Sequence, residues 1–101
     1  MLQAQVFHAT DQETGQLVAI KKSRVSLRVK HTLFHHEARV LQSLQGHPSI
    51  PAVYAIGRFN HFEYLAIELL AQSLGDLKGQ LEEGFVSQVA VQMAGASLSQ
   101  R

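Results

Sequence analysis

The feature that most constrains the fold of this chain is the run from Tyr64 to Leu70, YLAIELL, in which Glu68 is the only charged residue. A segment this short and apolar is typical of a strand that is buried on both faces, and such a strand has neighbours on both sides in a sheet. We therefore predict a strand over 62–70, joined by a two-residue turn to a strand over 53–59.

Two more segments near the start of the sequence, Gln5–Thr10 and Leu17–Lys22, are rich in strand-forming residues. The polar segment between them ends in Gly15, which can adopt a positive φ, so the three parts together predict a β-hairpin. Side chains alternate along a strand. The second strand is thus predicted to have one face with Ala19 and Lys21 and an opposite face with Val18, Ile20 and Lys22.

Helical spacing of apolar residues predicts an amphipathic helix over 31–45, which ends before Gly46 and Pro48. Glu37 falls three or four positions from several of these residues, which places its carboxylate inside the apolar stripe. If the stripe is rotated by one position, Glu37 is instead a solvated acid. The predicted stripe consists of Leu33, Phe34, Val40, Leu41 and Leu44.

Two helices are predicted for the remaining residues. Ser73 and Asp76 form an S-x-x-D pattern that caps a short helix ending at Gly84. A second helix is predicted over 86–101 with Ser87 as its cap, and its apolar face has little left to pack against. This face consists of Val86, Val89, Ala90, Met93 and Ala96. The predicted fold class is α+β, with an antiparallel sheet and the element order strand, strand, helix, strand, strand, helix, helix.

The composition of the chain argues against several classes of function. The 101 residues are enough for one small domain, and the formal net charge of +1 comes without any basic run, so we expect no nucleic-acid partner. Without cysteine there is no disulfide or thiolate chemistry, and six histidines with no Cys partners do not predict a metal site. No stretch is typical of a membrane span or a secretion signal. We expect an intracellular protein, in the cytoplasm or nucleus, that has no membrane contact.

The chemistry is concentrated in a strand lysine and a helix glutamate. Lys21 ends the motif VAIK, and Glu37 follows it sixteen residues later on the next helix. A lysine in this arrangement can contact the oxygens of a polyphosphate as a point charge, while the glutamate holds the ammonium in place. VAIK alone is a motif of modest specificity, and Lys21 could equally be a surface lysine on an exposed strand.

With the neighbouring segments included, the chain resembles protein kinases, and within them most closely the casein kinase I group. The similar segments are VFHATDQETGQLVAIK, HHEARVLQSLQG, GHPSIPAVYAIG and AIELLAQSLGDL. The resemblance implies a partial small lobe over 1–70, made of an antiparallel sheet and one regulatory helix. It also implies the hinge and the first two helices of the large lobe over 71–101.

The resemblance also implies residue roles. Catalytic roles fall on Lys21, which would contact the α- and β-phosphates of ATP, and on Glu37, its partner. Val6 and Ala19 would contact the adenine ring, and Ile67 would control access behind it. The backbones of Glu68 and Leu70 would hydrogen-bond the base at the hinge, and Asp76 would lie near the ribose.

The sequence departs from the family in three motifs. No G-x-G-x-x-G precedes Val6, and neither H-R-D nor D-F-G occurs in the 101 residues. The expected ligand is ATP, bound as Mg-ATP in the family, with the family's magnesium ligands absent here. We expect no phosphotransfer by this chain alone. The alternatives are a non-catalytic interaction module, which binds a protein or another kinase-like chain through Val89 and Met93 on the last helix, and a truncated gene product.

Overall fold

The computed structural model describes residues 5–24, 32–69, 81–93 and 95–100. Within these ranges it is an α+β domain: a five-stranded antiparallel sheet with one helix on each face, which confirms the predicted α+β class and the antiparallel sheet. None of the described helices has the length and apolar character that crossing a bilayer requires. The elements are β1 (Gln5–Asp11), β2 (Leu17–Arg24), α1 (Leu33–Ser43), β3 (Val53–Phe59), β4 (Phe62–Glu68), α2 (Glu83–Gln92) and β5 (Leu98–Gln100).

The sheet has the order β3-β4-β2-β1-β5, so the apolar strand β4 lies inside it with a neighbour on each side. Four consecutive residues, from Tyr64 to Ile67, are buried, as expected for a strand covered on both faces. The prediction from the YLAIELL run is thereby confirmed. The strand ends at Glu68, earlier than predicted, and Leu70 lies outside the described residues.

Both predicted hairpins are present. In the β1–β2 hairpin Val6 pairs with Lys21, and Gly15 in the connecting turn has φ +77°. In the β3–β4 hairpin Phe59 pairs with Phe62, and Asn60 adopts a φ of 57°. Asn tolerates this left-handed conformation better than most residues because its side chain can hydrogen-bond locally, which suits a two-residue turn.

Helix α1 is present, but the face that it packs against the sheet differs from the predicted one. Phe34 and Ala38 are buried and Leu41 packs beside them, so these three residues face the sheet. Glu37 still belongs to this stripe, because it follows Phe34 by three positions. The prediction was wrong for three residues that are exposed to solvent, Leu33 (84%), Val40 (42%) and Leu44 (41%).

The predicted helix over 86–101 was wrong in its bounds. Helix α2 starts at Glu83 with Glu82 in the N-cap position, so Ser87 is not its cap, and Gly84 lies inside the helix and does not end a preceding one. Gly95, at φ +82°, turns the chain after the helix, and its N–H donates to the carbonyl of Ala90 at 3.2 Å. Residues 98–100 then form β5, which pairs with the outer edge of β1.

The expectation that the last helix has little to pack against was also wrong. Phe85, Val86 and Val89 are buried in one core cluster with sheet residues from β1, β2, β3 and β4. The ring of Phe85 makes an edge-to-face contact with Tyr64 at a centroid distance of 5.6 Å. Helix α2 therefore closes the sheet face opposite α1. The short helix predicted from Ser73, with Asp76 in it, falls mainly on residues 70–80, outside the described ranges.

Candidate functional site

The predicted catalytic pair lies on the sheet face under α1, which we call the α1 face. Alternation along β2 places Ala19 and Lys21 on this face, and the β4 residues opposite them are Ile67 and Leu65. Val6 of β1 pairs with Lys21 from the other side. The opposite surface, the α2 face, is formed by Phe7, Ala9, Val18, Ile20, Tyr64 and Ala66.

Lys21 and Glu37 are in direct contact across the gap between β2 and α1. The Lys21 Nζ to Glu37 Oε2 distance is 2.5 Å, and the two side chains are 27% and 36% exposed. A charged hydrogen bond of this kind orients the ammonium group, whereas its partial exposure keeps the net electrostatic contribution to stability small. The structure thus brings together the two residues for which the sequence predicts a joint role.

The predicted adenine contacts differ in accessibility. Val6 is 42% exposed, whereas Ala19 and Ile67 are only 5% and 9% exposed. These two residues belong to the core cluster that includes Phe34 of α1. Contact between a base and Ala19 or Ile67 therefore requires these side chains to become more exposed than they are in this structure.

The hinge positions are described only in part. The Glu68 backbone N–H donates to the carbonyl of Ala52 at 2.8 Å, and the Glu68 carboxylate accepts from the Ala52 N–H at 3.1 Å. Glu68 is thus tied to the segment before β3, and its N–H already has a partner. Leu70 and Asp76, the other predicted positions here, lie outside the described residues.

A polar cluster that the sequence analysis did not identify lies between β4 and the start of α1. Glu63 is 2% exposed, and its Oε1 accepts a hydrogen bond from the Thr32 hydroxyl at 2.5 Å. His35 Nδ1 lies 3.3 Å from Glu63 Oε2, and Arg58 Nε lies 4.0 Å from the same oxygen. The period of two along β4 could have revealed Glu63, because it places this acid on the same face as Leu65 and Ile67.

Lys22, the residue after Lys21, points the other way. Its Nζ lies 4.1 Å from the ring centroid of Phe62 and 5.2 Å from that of Phe85. These are cation–π distances, and they place the ammonium against aromatic rings on the α2 side of the sheet. Two consecutive lysines therefore have different surroundings, which makes Lys22 a matched control for Lys21.

Burial raises the pKa of both tyrosines in the described ranges. The pKa of Tyr64 is raised by desolvation, since the side chain is enclosed on the α2 face. The pKa of Tyr54 is raised by burial and, secondarily, by the negative charges of Glu68 and Asp11. Both hydroxyls are therefore neutral at physiological pH.

Comparison with known proteins finds similarity to a kinase-like protein. A Caenorhabditis elegans protein named "putative casein kinase I" is 29% identical to this chain over 100 residues, which is 91% of this chain and 29% of the relative. The chain thus spans less than a third of that relative's length. No protein-family profile matches the chain. The similarity supports a kinase-like relationship, and the α+β fold is compatible with a kinase small lobe.

Proposed function

We propose that this chain is the nucleotide-binding part of a casein kinase I-like Ser/Thr protein kinase, with ATP as its ligand. The observation that carries the proposal is the 2.5 Å contact between Lys21 Nζ and Glu37 Oε2. A lysine held this way presents a fixed positive charge to the phosphate oxygens of a nucleotide. The similarity to a casein kinase I-like protein points to the same class of function.

The surroundings of the pair suit a nucleotide. Val6 is the register partner of Lys21 and is 42% exposed, so an apolar surface for a base lies beside the ammonium group. Ala19 and Ile67 would extend this surface once uncovered. Because that uncovering opposes binding, we expect weak affinity for Mg-ATP, with the phosphate contacts contributing most of it.

In kinases of this group the γ-phosphate of ATP is transferred to Ser or Thr hydroxyls of proteins. The catalytic base and magnesium ligands belong to the H-R-D and D-F-G motifs, neither of which occurs in these 101 residues. A positioned base typically contributes about 10²–10⁴-fold to the rate. We therefore expect phosphotransfer only when another segment or partner supplies these groups.

The test is calorimetric titration of the 101-residue chain with Mg-ATP, comparing the native sequence with Lys21→Met and Lys22→Met. We expect Lys21→Met to weaken binding by at least about tenfold, the effect of losing one charge-assisted phosphate contact. Lys22→Met removes the same charge from the same strand, on the opposite face. It should leave the affinity unchanged within about twofold.

Two results would count against the proposal. One is the absence of binding heat at millimolar nucleotide when circular dichroism shows that the protein is folded. The other is equal weakening by both substitutions, which would mean that any positive charge on this sheet attracts ATP and that the pairing with Glu37 is irrelevant.

The predicted interaction surface on the last helix receives no support from the structure. Val89 is fully buried, and Met93 packs against the same core cluster. A protein partner for this chain stays a prediction, but these two residues are not exposed for it. Nucleotide binding is the function that the described contacts favour.

A further inference from the structure

We infer that Glu63 is a positioning residue for the Lys21–Glu37 pair, an inference that rests on the proposed nucleotide-binding function. Glu63 is remote from the pair in sequence and does not contact it. Of the charged residues in the described ranges it alone is buried, at 2% exposure. A buried carboxylate is costly unless it is hydrogen-bonded, so its partners indicate what it holds in place.

Those partners are at the start of α1. The Thr32 hydroxyl donates to Glu63 Oε1 at 2.5 Å and accepts from the His35 backbone N–H at 3.2 Å. Thr32 is the N-cap residue, so one hydroxyl both caps α1 and ties it to β4. The imidazole of His35 adds to this cluster, with Nδ1 at 2.9 Å from Thr32 Oγ1 and 3.3 Å from Glu63 Oε2.

The hydrogen bond between Thr32 and Glu63, which we call the tie, fixes the part of α1 that carries Glu37. Glu37 lies five residues after Thr32, in the second turn of the helix, and its carboxylate reaches Lys21 on β2. Register places Glu63 opposite Ser23, two residues along β2 from Lys21, so the tie and the pair anchor α1 at neighbouring positions on the sheet. Loss of the tie would let the start of α1 move away from β4, and Glu37 would move with it.

A matched pair of substitutions at Thr32 separates this tie from helix capping. Asn and Asp have the same size, and each can cap the helix by accepting from the His35 N–H. The Asn amide can also donate to Glu63, whereas an ionised Asp carboxylate has no donor and repels Glu63. Thr32→Asn should thus keep the tie, and Thr32→Asp should break it.

The readouts are the affinities for Mg-ATP and for adenosine, together with amide hydrogen exchange in α1 without ligand. Adenosine has no phosphate, so it does not need Lys21. We expect Thr32→Asp to weaken Mg-ATP binding on the order of tenfold relative to Thr32→Asn, the size of one charge-assisted hydrogen bond. Adenosine affinity should agree within about twofold, and the Glu37 amide should exchange at least about tenfold faster in Thr32→Asp.

Equal Mg-ATP affinity and equal α1 exchange in the two variants would overturn the inference. So would an equal loss of ATP and adenosine binding, because Glu63 would then serve only general stability. If the native chain binds no nucleotide, the proposed function fails separately, and α1 exchange alone decides whether Glu63 positions Glu37. If Thr32→Asp does not fold, Thr32→Val, which lacks both donor and cap, is compared with Thr32→Ser, which keeps both.

Discussion

The two faces of the sheet are each covered by one helix, but they are built from different kinds of contact. The α2 face encloses an apolar core: Phe85 is 2% exposed, and Val18, Tyr64 and Val89 are fully buried. The α1 face carries the partly exposed Lys21–Glu37 pair. The comparison teaches that this small domain separates its roles, with the stability of the sheet supplied mainly by one face and the charged site placed on the other.

Each face also buries one polar side chain. On the α1 face the buried carboxylate of Glu63 is bonded to Thr32 and lies near His35 and Arg58. On the α2 face the Tyr64 hydroxyl is buried, and among the described residues neither this hydroxyl nor Glu63 Oε2 has a hydrogen-bond partner. For Tyr64 the unpaired hydroxyl is a cost of packing the large ring.

The largest effect is expected from a substitution that disrupts the packing of the α2 face. Phe85→Ala removes the ring that contacts Phe59, Phe62 and Tyr64, and leaves a cavity between helix and sheet. We expect the free energy of unfolding, measured by urea denaturation, to fall by about 3–5 kcal/mol. Val91→Ala, on the same helix at a residue that is 66% exposed, should change it by less than about 0.5 kcal/mol. Similar values for the two variants would refute the assignment of the core to this face.

A smaller effect is expected at Gly57, where the backbone of β3 passes the Tyr64 ring. A Cβ at this position would lie 2.7 Å from the Tyr64 hydroxyl oxygen and 3.0 Å from Cζ. Gly57→Ala should therefore destabilise the protein by about 1–3 kcal/mol through overpacking. Adding Tyr64→Phe removes the closest atom and should recover part of the loss. A double-mutant cycle with no coupling between the two sites would contradict this contact.

The smallest expected effect concerns Tyr64 on the α2 face and is visible only at high pH. The pKa of Tyr64 is raised by burial above its ordinary value of 10.0 in the folded state, so the folded protein keeps a proton that the unfolded chain loses. The resulting stabilisation is complete below pH 10 and is lost as pH rises through the folded-state pKa. Urea denaturation between pH 8 and 11 should show falling stability, less steeply in Tyr64→Phe. An unchanged slope in that variant would assign the loss to other groups, such as Tyr54.

Local patterns in the sequence were sufficient for the parts of the fold that depend on neighbouring residues. The β1–β2 hairpin and the inner strand β4 follow from strand patterns and turn signals. The pairing of Lys21 with Glu37 was expected from the VAIK motif and the resemblance to kinases, together with the place of Glu37 in the helical stripe. The face of α1 was predicted less well, because Leu33, Val40 and Leu44 form an apolar stripe that overlaps the buried one. Only packing against the sheet selects the stripe that contains Ala38.

The C-terminal part could not be read from local patterns. Residues 98–100 become a strand because the edge of β1 offers backbone partners, and that edge is distant in sequence. Glu63 was missed for a related reason: an acid within a strand is normally solvated, and its partner Thr32 is on another element. For the predicted site, the structure shows that Lys21 and Glu37 meet, and the role of each stays a prediction.

The pairing of β5 with β1 has a consequence for how the chain folds. Ala9 pairs with Gln100, across nearly the whole of the sequence, so this contact closes a very long loop, which is slow compared with forming the adjacent hairpins. During synthesis β1 and β2 can pair early, but the outer edge of β1 cannot receive β5 until residues 98–100 have left the ribosome. A four-stranded intermediate with an open edge is therefore expected to precede the native state, and it is the species most prone to associate with other nascent chains.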